Sequence, residues 1–274
     1  APDRPFAKWI VFGAVSLAFF FLNMATFQSL GVVLFTMVSE LHWSQTAAGF
    51  SFTFLGLACG ITSPLPGWTV KTLGCRLTMA IGAVLLAIGY YLSAIAHAAL
   101  TFYIAMTFLG MGYSFMGNVP GVYSIATWFK TGSSRVIGLY MMLGALGAAV
   151  GPPVVDGIVS VVGWRGNWEF MGVIAIATGI IAFLLVREAD GTSAARKTAG
   201  TVRPSLNEPA EEWTQHQAVR TSQFLLIAGA MAATMACVTT YSSMLVPHLV
   251  MLGTNKHEAA FVLDARVPAL ERGL

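Results

Sequence analysis

The most regular feature of the chain is a succession of long, uncharged apolar runs separated by short polar breaks. The runs cover residues 9–38, 47–70, 77–97, 99–128, 136–160, 168–186 and 222–250. Crossing the hydrocarbon core of a bilayer, about 30 Å thick, takes roughly 20 helical residues. Because a bilayer offers no water to backbone polar groups, each run is predicted to be a membrane-spanning helix.

The composition supports this interpretation and narrows the possible partners. Hydrophobic residues make up 56% of the chain and charged residues 10%, which indicates an integral membrane protein embedded in a lipid bilayer. The net charge is only +3 and the basic residues are scattered singly, so we expect no nucleic-acid partner. The chain begins at Ala1 without a methionine, and we expect a trimmed or partial chain.

The distribution of Lys and Arg predicts the orientation of the helices. With the amino terminus inside, the cytoplasmic segments hold Arg4, Lys8, Lys71, Arg76, Lys130, Arg135, Arg187, Arg196, Lys197, Arg203 and Arg220. The outer loops then hold only Arg165 and Lys256. Basic residues are retained on the cytoplasmic side during insertion, so the sequence predicts a multi-pass protein of the inner cell membrane with a cytoplasmic amino terminus.

A polar segment divides the runs into two groups. We expect residues 1–186 to form a six-helix bundle, residues 187–221 a cytoplasmic linker, and residues 222–274 a seventh helix and the start of a second bundle. The charged tail "VLDARVPALERGL" is either an eighth helix cut short or a terminus outside the membrane.

The fifth run carries regularly spaced glycines. Gly144, Gly147 and Gly151 share one helix face, where small residues let two backbones approach. We expect leucine at Gly147 or Gly151 to be far more disruptive than leucine at Gly82, and Pro153 to bend or weaken the outer end of this helix. The strip suits ordinary packing in any multi-pass protein, and it is also compatible with helices that slide in a transporter.

Several stretches resemble one family of carriers. "WFKTGSSRVIGLYMMLGALGAAVGPP", residues 128–153, is similar to the fifth-helix signature of the major facilitator superfamily, and within it to bacterial carriers related to monocarboxylate porters and oxalate:formate exchangers. "GWRGNWEFMG", "AVRTSQFLLI" and "VPHLVMLG" resemble the beginning of helix six and the two ends of helix seven. The resemblance implies an all-α membrane protein with a six-helix amino-terminal bundle, a cytoplasmic linker, helix seven and a truncated continuation.

The stretch "GWTVKTLGCR" occupies the place of that superfamily's loop between helices two and three. Gly67, Gly74 and Arg76 match the motif, whereas Lys71 stands at the acidic position and Thr72 at the next basic one. The resemblance implies a set of gating and packing residues: Gly67, Gly74, Arg76, Gly144, Gly147, Gly151, Pro152 and Pro153.

The resemblance also implies that helices one, four and seven line a central cavity. The candidate substrate contacts are Asn23, Tyr113, Asn118, Tyr123, Thr240 and Tyr241. Alternatively, each of these polar groups is simply hydrogen-bonded between helices. Asp156 is either a carboxylate at the outer mouth of the cavity or a helix-end charge in water.

The resemblance implies a secondary transporter of small organic solutes, with monocarboxylate or dicarboxylate anions as substrates and a proton or counter-anion as coupled partner. The alternatives are a membrane channel, a structural subunit, or an incomplete chain that is inactive until a missing carboxy-terminal half or a second chain completes it. The five histidines have no metal-ligand spacing and no serine lies in a nucleophile motif. We therefore expect no catalytic residue, no metal and no cofactor.

Overall fold

The computed structural model describes residues 5–129, 132–186, 221–226, 228–234 and 236–237. Its helices up to residue 186 are α1 (Pro5–Ala25), α2 (Phe27–Leu41), α3 (Gln45–Thr62), α4 (Pro64–Leu73), α5 (Cys75–Ala94), α6 (Ala99–Met116), α7 (Asn118–Trp128) and α8 (Ser133–Leu185). The described residues between Ser222 and Thr234 are also helical. No strand occurs in these ranges, and the predicted all-α membrane fold is confirmed.

By length and hydropathy, the described helices combine into up to five candidate membrane spans, the last of which is α8. α1 and α2 share the span Phe6–Leu41, and α6 and α7 share Ala99–Trp128. α3 and α4 form a pair bent by 46°, and α5 is a span by itself. α8 has 53 residues, which at 1.5 Å per residue gives about 80 Å, more than twice the hydrocarbon thickness. Gly163, with φ 76° and ψ 174°, interrupts α8 and separates residues 133–162 from residues 164–185.

The glycines of the fifth span bring it against α1. A Cβ at Gly147 would overlap the backbone carbonyl oxygen of Phe20, and a Cβ at Gly144 would overlap the ring of Phe19. The two helices therefore touch at distances that only glycine permits.

Gly82 also lies in a close contact, between α5 and α6. A Cβ there would be 2.8 Å from the backbone nitrogen of Met116. The premise of the expected contrast with Gly147, that Gly82 lies outside any close helix contact, is therefore wrong, because hydropathy alone did not indicate that this face of α5 meets a backbone. The interruption of α8 does not lie at Pro153, where a bend was expected. The helix continues through Pro152 and Pro153, and the residue with non-helical angles is Gly163.

The surface of the bundle is apolar, as a bilayer requires. Large exposed side chains on the described helices include Leu57, Ile61, Val84, Leu100, Val173 and Ile180. Such a continuous apolar surface is unusual in a soluble protein and agrees with a membrane-spanning bundle. Asp156, by contrast, is only 6% exposed, so its interpretation as a helix-end charge in water is wrong.

Candidate functional site

Most buried hydroxyl groups in the spans bond to their own helix. Thr62, Thr78, Ser93 and Thr178 each donate to the carbonyl oxygen of the residue four positions earlier, at 2.6–2.9 Å. This local bond satisfies the hydroxyl inside a helix and needs no ligand. These residues are therefore structural, and a binding site has to be sought among polar groups that meet across helices.

Asn23 and Tyr113 form such a cross-helix pair. The Tyr113 hydroxyl donates to Asn23 Oδ1 at 3.0 Å, and Asn23 Nδ2 donates to the carbonyl oxygen of Phe19 at 2.8 Å. Each of the two residues lies halfway along its span, Phe6–Leu41 or Ala99–Trp128. An Asn amide has two N–H groups, so one remains for a ligand at the middle of the bilayer.

The first span is interrupted close to this pair. α1 ends at Ala25, and Thr26 has the non-helical angles φ −102° and ψ −99° before α2 begins. The Thr26 hydroxyl donates to the carbonyl oxygen of Leu22 at 2.6 Å, which satisfies one backbone acceptor near the break. The ring of Phe27, the first residue of α2, packs edge-on against Tyr113 with centroids 5.1 Å apart. The break thus positions an aromatic ring beside the polar pair.

The fourth span is interrupted as well. α6 ends at Met116, Gly117 has φ −83° and ψ −132°, and α7 begins at Asn118. Discontinuous helices at the middle of the bilayer are typical of substrate sites in secondary transporters, because their free ends carry partial charge. Asn118 is exposed at the amino end of α7.

The other candidate contacts are not brought together with this pair. Tyr123 is half-buried on α7, and five residues after Asn118 it points about 140° away around the helix. Thr240 and Tyr241 lie outside the described residues. The structure thus joins Asn23 to Tyr113, places Asn118 on the neighbouring half-helix, and leaves Tyr123 on another face.

Tyr140 contacts the break in the fourth span. The sequence analysis did not select this residue. Its hydroxyl donates to the carbonyl oxygen of Gly117 at 3.3 Å, and its ring stacks on Phe19 at 4.5 Å between centroids. A Cβ at Gly121 would overlap that hydroxyl. The available signal was its position four residues before Gly144, which places Tyr140 on the same face of α8 as the glycine strip.

A hydrogen bond and a close glycine contact fix the position of α6 against α3. Ser114 donates to the carbonyl oxygen of Cys59 at 2.9 Å. A Cβ at Gly110 would overlap the carbonyl oxygen of Leu55. These contacts place Tyr113, the neighbour of Ser114, at a defined depth, so they support the polar pair indirectly.

The turn at Gly163 is joined to the end of the first span. Trp164 Nε1 donates to Glu40 Oε2 at 2.7 Å, and Arg165 Nη1 donates to Oε1 at 2.9 Å. The Arg165 guanidinium also lies 3.9 Å from the centre of the Trp164 ring. Both carboxylate oxygens of Glu40 are thereby engaged, and the "GWR" stretch connects the turn in α8 to the end of α2.

The residues assigned to the loop between helices two and three differ in role. Gly74 has φ 88°, which favours glycine, and it ends α4. The Arg76 guanidinium lies 3.8 Å from the centre of the Phe183 ring. A Cβ at Gly67 would meet nothing within 4 Å, so space does not require glycine there.

One cavity, between α1, α5, α6 and α8, measures about 10 Å³, roughly the space for one water. Within the described ranges, no group of three or more His, Cys, Asp or Glu side chains could hold a metal.

Comparison with known proteins gives a broad match. The family model described as Major Facilitator Superfamily matches residues 16–265. A probable L-galactonate transporter of Escherichia coli (strain K12) is 30% identical over 177 residues, covering 64% of this chain and 39% of that protein. Monocarboxylate transporter 14 of Homo sapiens is 28% identical over 161 residues, covering 57% and 30%. The chain spans less than half the length of these relatives.

Solved structures show the same fold. A D-xylose-proton symporter aligns with a TM-score of 0.56 at 14% identity, covering 94% of this chain and 64% of that one. A bacterial homologue of human drug peptide transporters aligns with a TM-score of 0.55 at 17% identity, covering 93% and 52%. The family match and the relatives in sequence are transporters, which confirms the prediction that the chain is not an enzyme.

Proposed function

The chain belongs to the Major Facilitator Superfamily, and on that premise we propose that it contributes the amino-terminal half of a secondary transporter of small organic solutes. In such carriers two bundles enclose a site at the middle of the membrane and rock against each other. The observation that carries the proposal is the hydrogen-bonded pair Asn23–Tyr113 at the midpoint of two interrupted spans.

We propose monocarboxylate or dicarboxylate anions as the substrates. An Asn23 amide proton and the amino end of α7 near Asn118 both favour negative charge. Two relatives carry substrates of this class in their names, L-galactonate and monocarboxylate. In the described spans the Lys and Arg residues lie near helix ends, so a cationic partner for the anion would come from the rest of the site.

The contacts proposed for the substrate are Asn23, Tyr113, Asn118, Tyr123, Thr240 and Tyr241. The proposed gating and packing residues are Gly67, Gly74, Arg76, Gly144, Gly147, Gly151, Pro152 and Pro153. A proton or a counter-anion would be the coupled partner. A further half or a second chain would complete the site.

A channel is the less favoured function. The Asn23–Tyr113 pair is a local contact at one depth, whereas a channel needs polar groups along a continuous path. The ring of Phe27 packs against Tyr113, which suits a bounded pocket.

Uptake measurements test the proposed transport. The full-length protein would be reconstituted in liposomes and offered labelled monocarboxylates, dicarboxylates and neutral sugars, with and without a pH gradient. We expect saturable uptake of a carboxylate. Tyr113→Phe should raise KM, whereas Tyr91→Phe, at an exposed position on α5, should not. Equal KM values for the two variants, or uptake of neutral sugars alone, would contradict the proposed site.

Orientation and domain boundaries have a separate test. We propose that the amino terminus and the linker at residues 187–221 are cytoplasmic in the inner membrane, with residues 1–186 and 222–274 forming the units on either side. In a background without native cysteines, an impermeant thiol reagent applied to intact cells should label Ala98→Cys, at the exposed turn before α6, and spare Ser193→Cys. The reverse pattern would overturn the orientation.

A further inference from the structure

An open groove of about 470 Å³ runs between α5 and the second part of α8. Its walls are apolar side chains and one glycine: Ala80, Ala83, Val84, Ala87, Ile88, Ile176, Gly179, Ile180, Phe183 and Leu184. A Cβ at Gly179 would overlap that of Ala83, so the two helices touch at the floor of the groove. The alanines of α5 are too short to fill the space above that contact.

A cation lies at one end of this groove. Arg76 is exposed in the first turn of α5, four residues before Ala80 and therefore on the same helix face. Its guanidinium lies 3.8 Å from the centre of the Phe183 ring, which itself lines the groove. Within the described residues no carboxylate pairs with Arg76, since the ion pair found there joins Glu40 to Arg165.

The length of the groove matches the hydrocarbon thickness of one lipid leaflet. Arg76 and Ile88 are twelve positions apart on α5, which corresponds to about 18 Å of helix. The hydrocarbon of one leaflet is about 15 Å thick, half of the roughly 30 Å core. A chain that lies along the whole groove therefore ends near the middle of the bilayer, with its headgroup beside Arg76.

We propose that the groove binds an acyl chain of an anionic phospholipid, whose phosphate pairs with Arg76. A guanidinium offers two parallel N–H donors to phosphate oxygens, and the Phe183 ring holds it at the mouth of the groove. The site involves none of the residues proposed to contact the transported solute. In the proposed orientation it faces the cytoplasmic leaflet, where anionic lipids attract basic residues.

Native mass spectrometry of the purified full chain tests the headgroup contact. The protein would be titrated with phosphatidylglycerol and with phosphatidylcholine of identical acyl chains. We expect phosphatidylglycerol to be retained preferentially, and Arg76→Ala to reduce its affinity roughly fivefold. Arg76→Lys should keep part of the preference. Lys71→Ala, which removes an exposed cation from the last turn of α4, should leave it unchanged.

A second pair of variants tests the chain contact. Ala87→Phe fills the groove and should weaken retention of both lipids, whereas Ala177→Phe adds the same ring at an exposed position of α8 outside the groove. Size-exclusion profiles and helical circular dichroism would show whether each variant is folded. Equal retention of the two lipids by the unmodified protein would overturn the proposal. So would equal effects of Ala87→Phe and Ala177→Phe, or a groove occupied by a second copy, seen as a dimer that Ala87→Phe dissociates.

Discussion

The two parts of α8 differ in how closely they pack against the neighbouring helix. Residues 133–162 lie against α1, where Gly147 faces the backbone of Phe20 and the rings of Phe19 and Tyr140 stack at 4.5 Å. Residues 164–185 lie against α5, where the contact is followed by a groove of about 470 Å³. One interface is closed and adjoins the polar pair, and the other is open on the surface.

The comparison shows that a small residue in a helix contact can accompany either a closed interface or an open groove. At Gly144 the facing helix supplies the Phe19 ring, which fills the space that the glycine leaves. At Gly179 the facing residue is Ala83, whose methyl group touches the glycine and leaves the flanking space empty. Whether a small residue closes an interface or opens a groove thus depends on the side chain opposite.

The largest effect is expected from Gly147→Leu. The new side chain would meet the carbonyl of Phe20, which cannot move without shifting α1, and overpacking of this kind costs about 1–3 kcal/mol. Thermal unfolding in detergent should show a clear drop in midpoint. Gly138→Leu, at an exposed position of the same helix where a Cβ meets nothing within 4 Å, is the control. Equal midpoints for the two variants would remove the distinction between the interfaces.

Gly163→Ala should have the next largest effect, because both interfaces need the turn that Gly163 makes. Its φ of 76° and ψ of 174° lie in a region that is essentially restricted to glycine, and strain there costs about 1–3 kcal/mol. A Cβ at Gly163 meets nothing within 4 Å, so the cost is conformational and not steric. Gly157→Ala is the matched control, and the same loss of stability in both variants would contradict this explanation.

Tyr113→Phe should have a smaller effect on stability. It removes the hydrogen bond to Asn23 while keeping the ring against Phe27, and bonds between membrane helices average about 0.6 kcal/mol. The unfolding midpoint should therefore fall slightly below that of Tyr91→Phe. A drop as large as that of Gly147→Leu would mean that the pair is structural and not a binding site.

The smallest effect on stability is expected from Ala87→Phe. Its side chain enters the open groove, so the free energy of unfolding should stay within about 0.5 kcal/mol of that of the unmodified protein, as for a surface substitution. A loss comparable to that of Gly147→Leu would show that the α5–α8 interface is as closely packed as the α1–α8 interface.

The spans were predictable in some detail. The run at residues 99–128 coincides with the span Ala99–Trp128, and the break between the fifth and sixth runs contains Gly163. Asn23 and Tyr113 could be selected because polar residues are rare in such runs. Their hydrogen bond could not be predicted, because it depends on the rotation of α1 and α6 about their axes.

The sequence by itself determined that the chain crosses the membrane, roughly where the described spans lie, and which residues are small enough for close contact. These properties depend on local composition, since apolar length and turn chemistry act within one segment. Only the tertiary structure decided which helix each small residue meets: Gly82 against the backbone of Met116, Gly144 against Phe19, and Gly179 against Ala83. Between membrane helices the hydrophobic effect provides no preference among apolar faces, so shape complementarity makes that choice, and it is a property of two helices together.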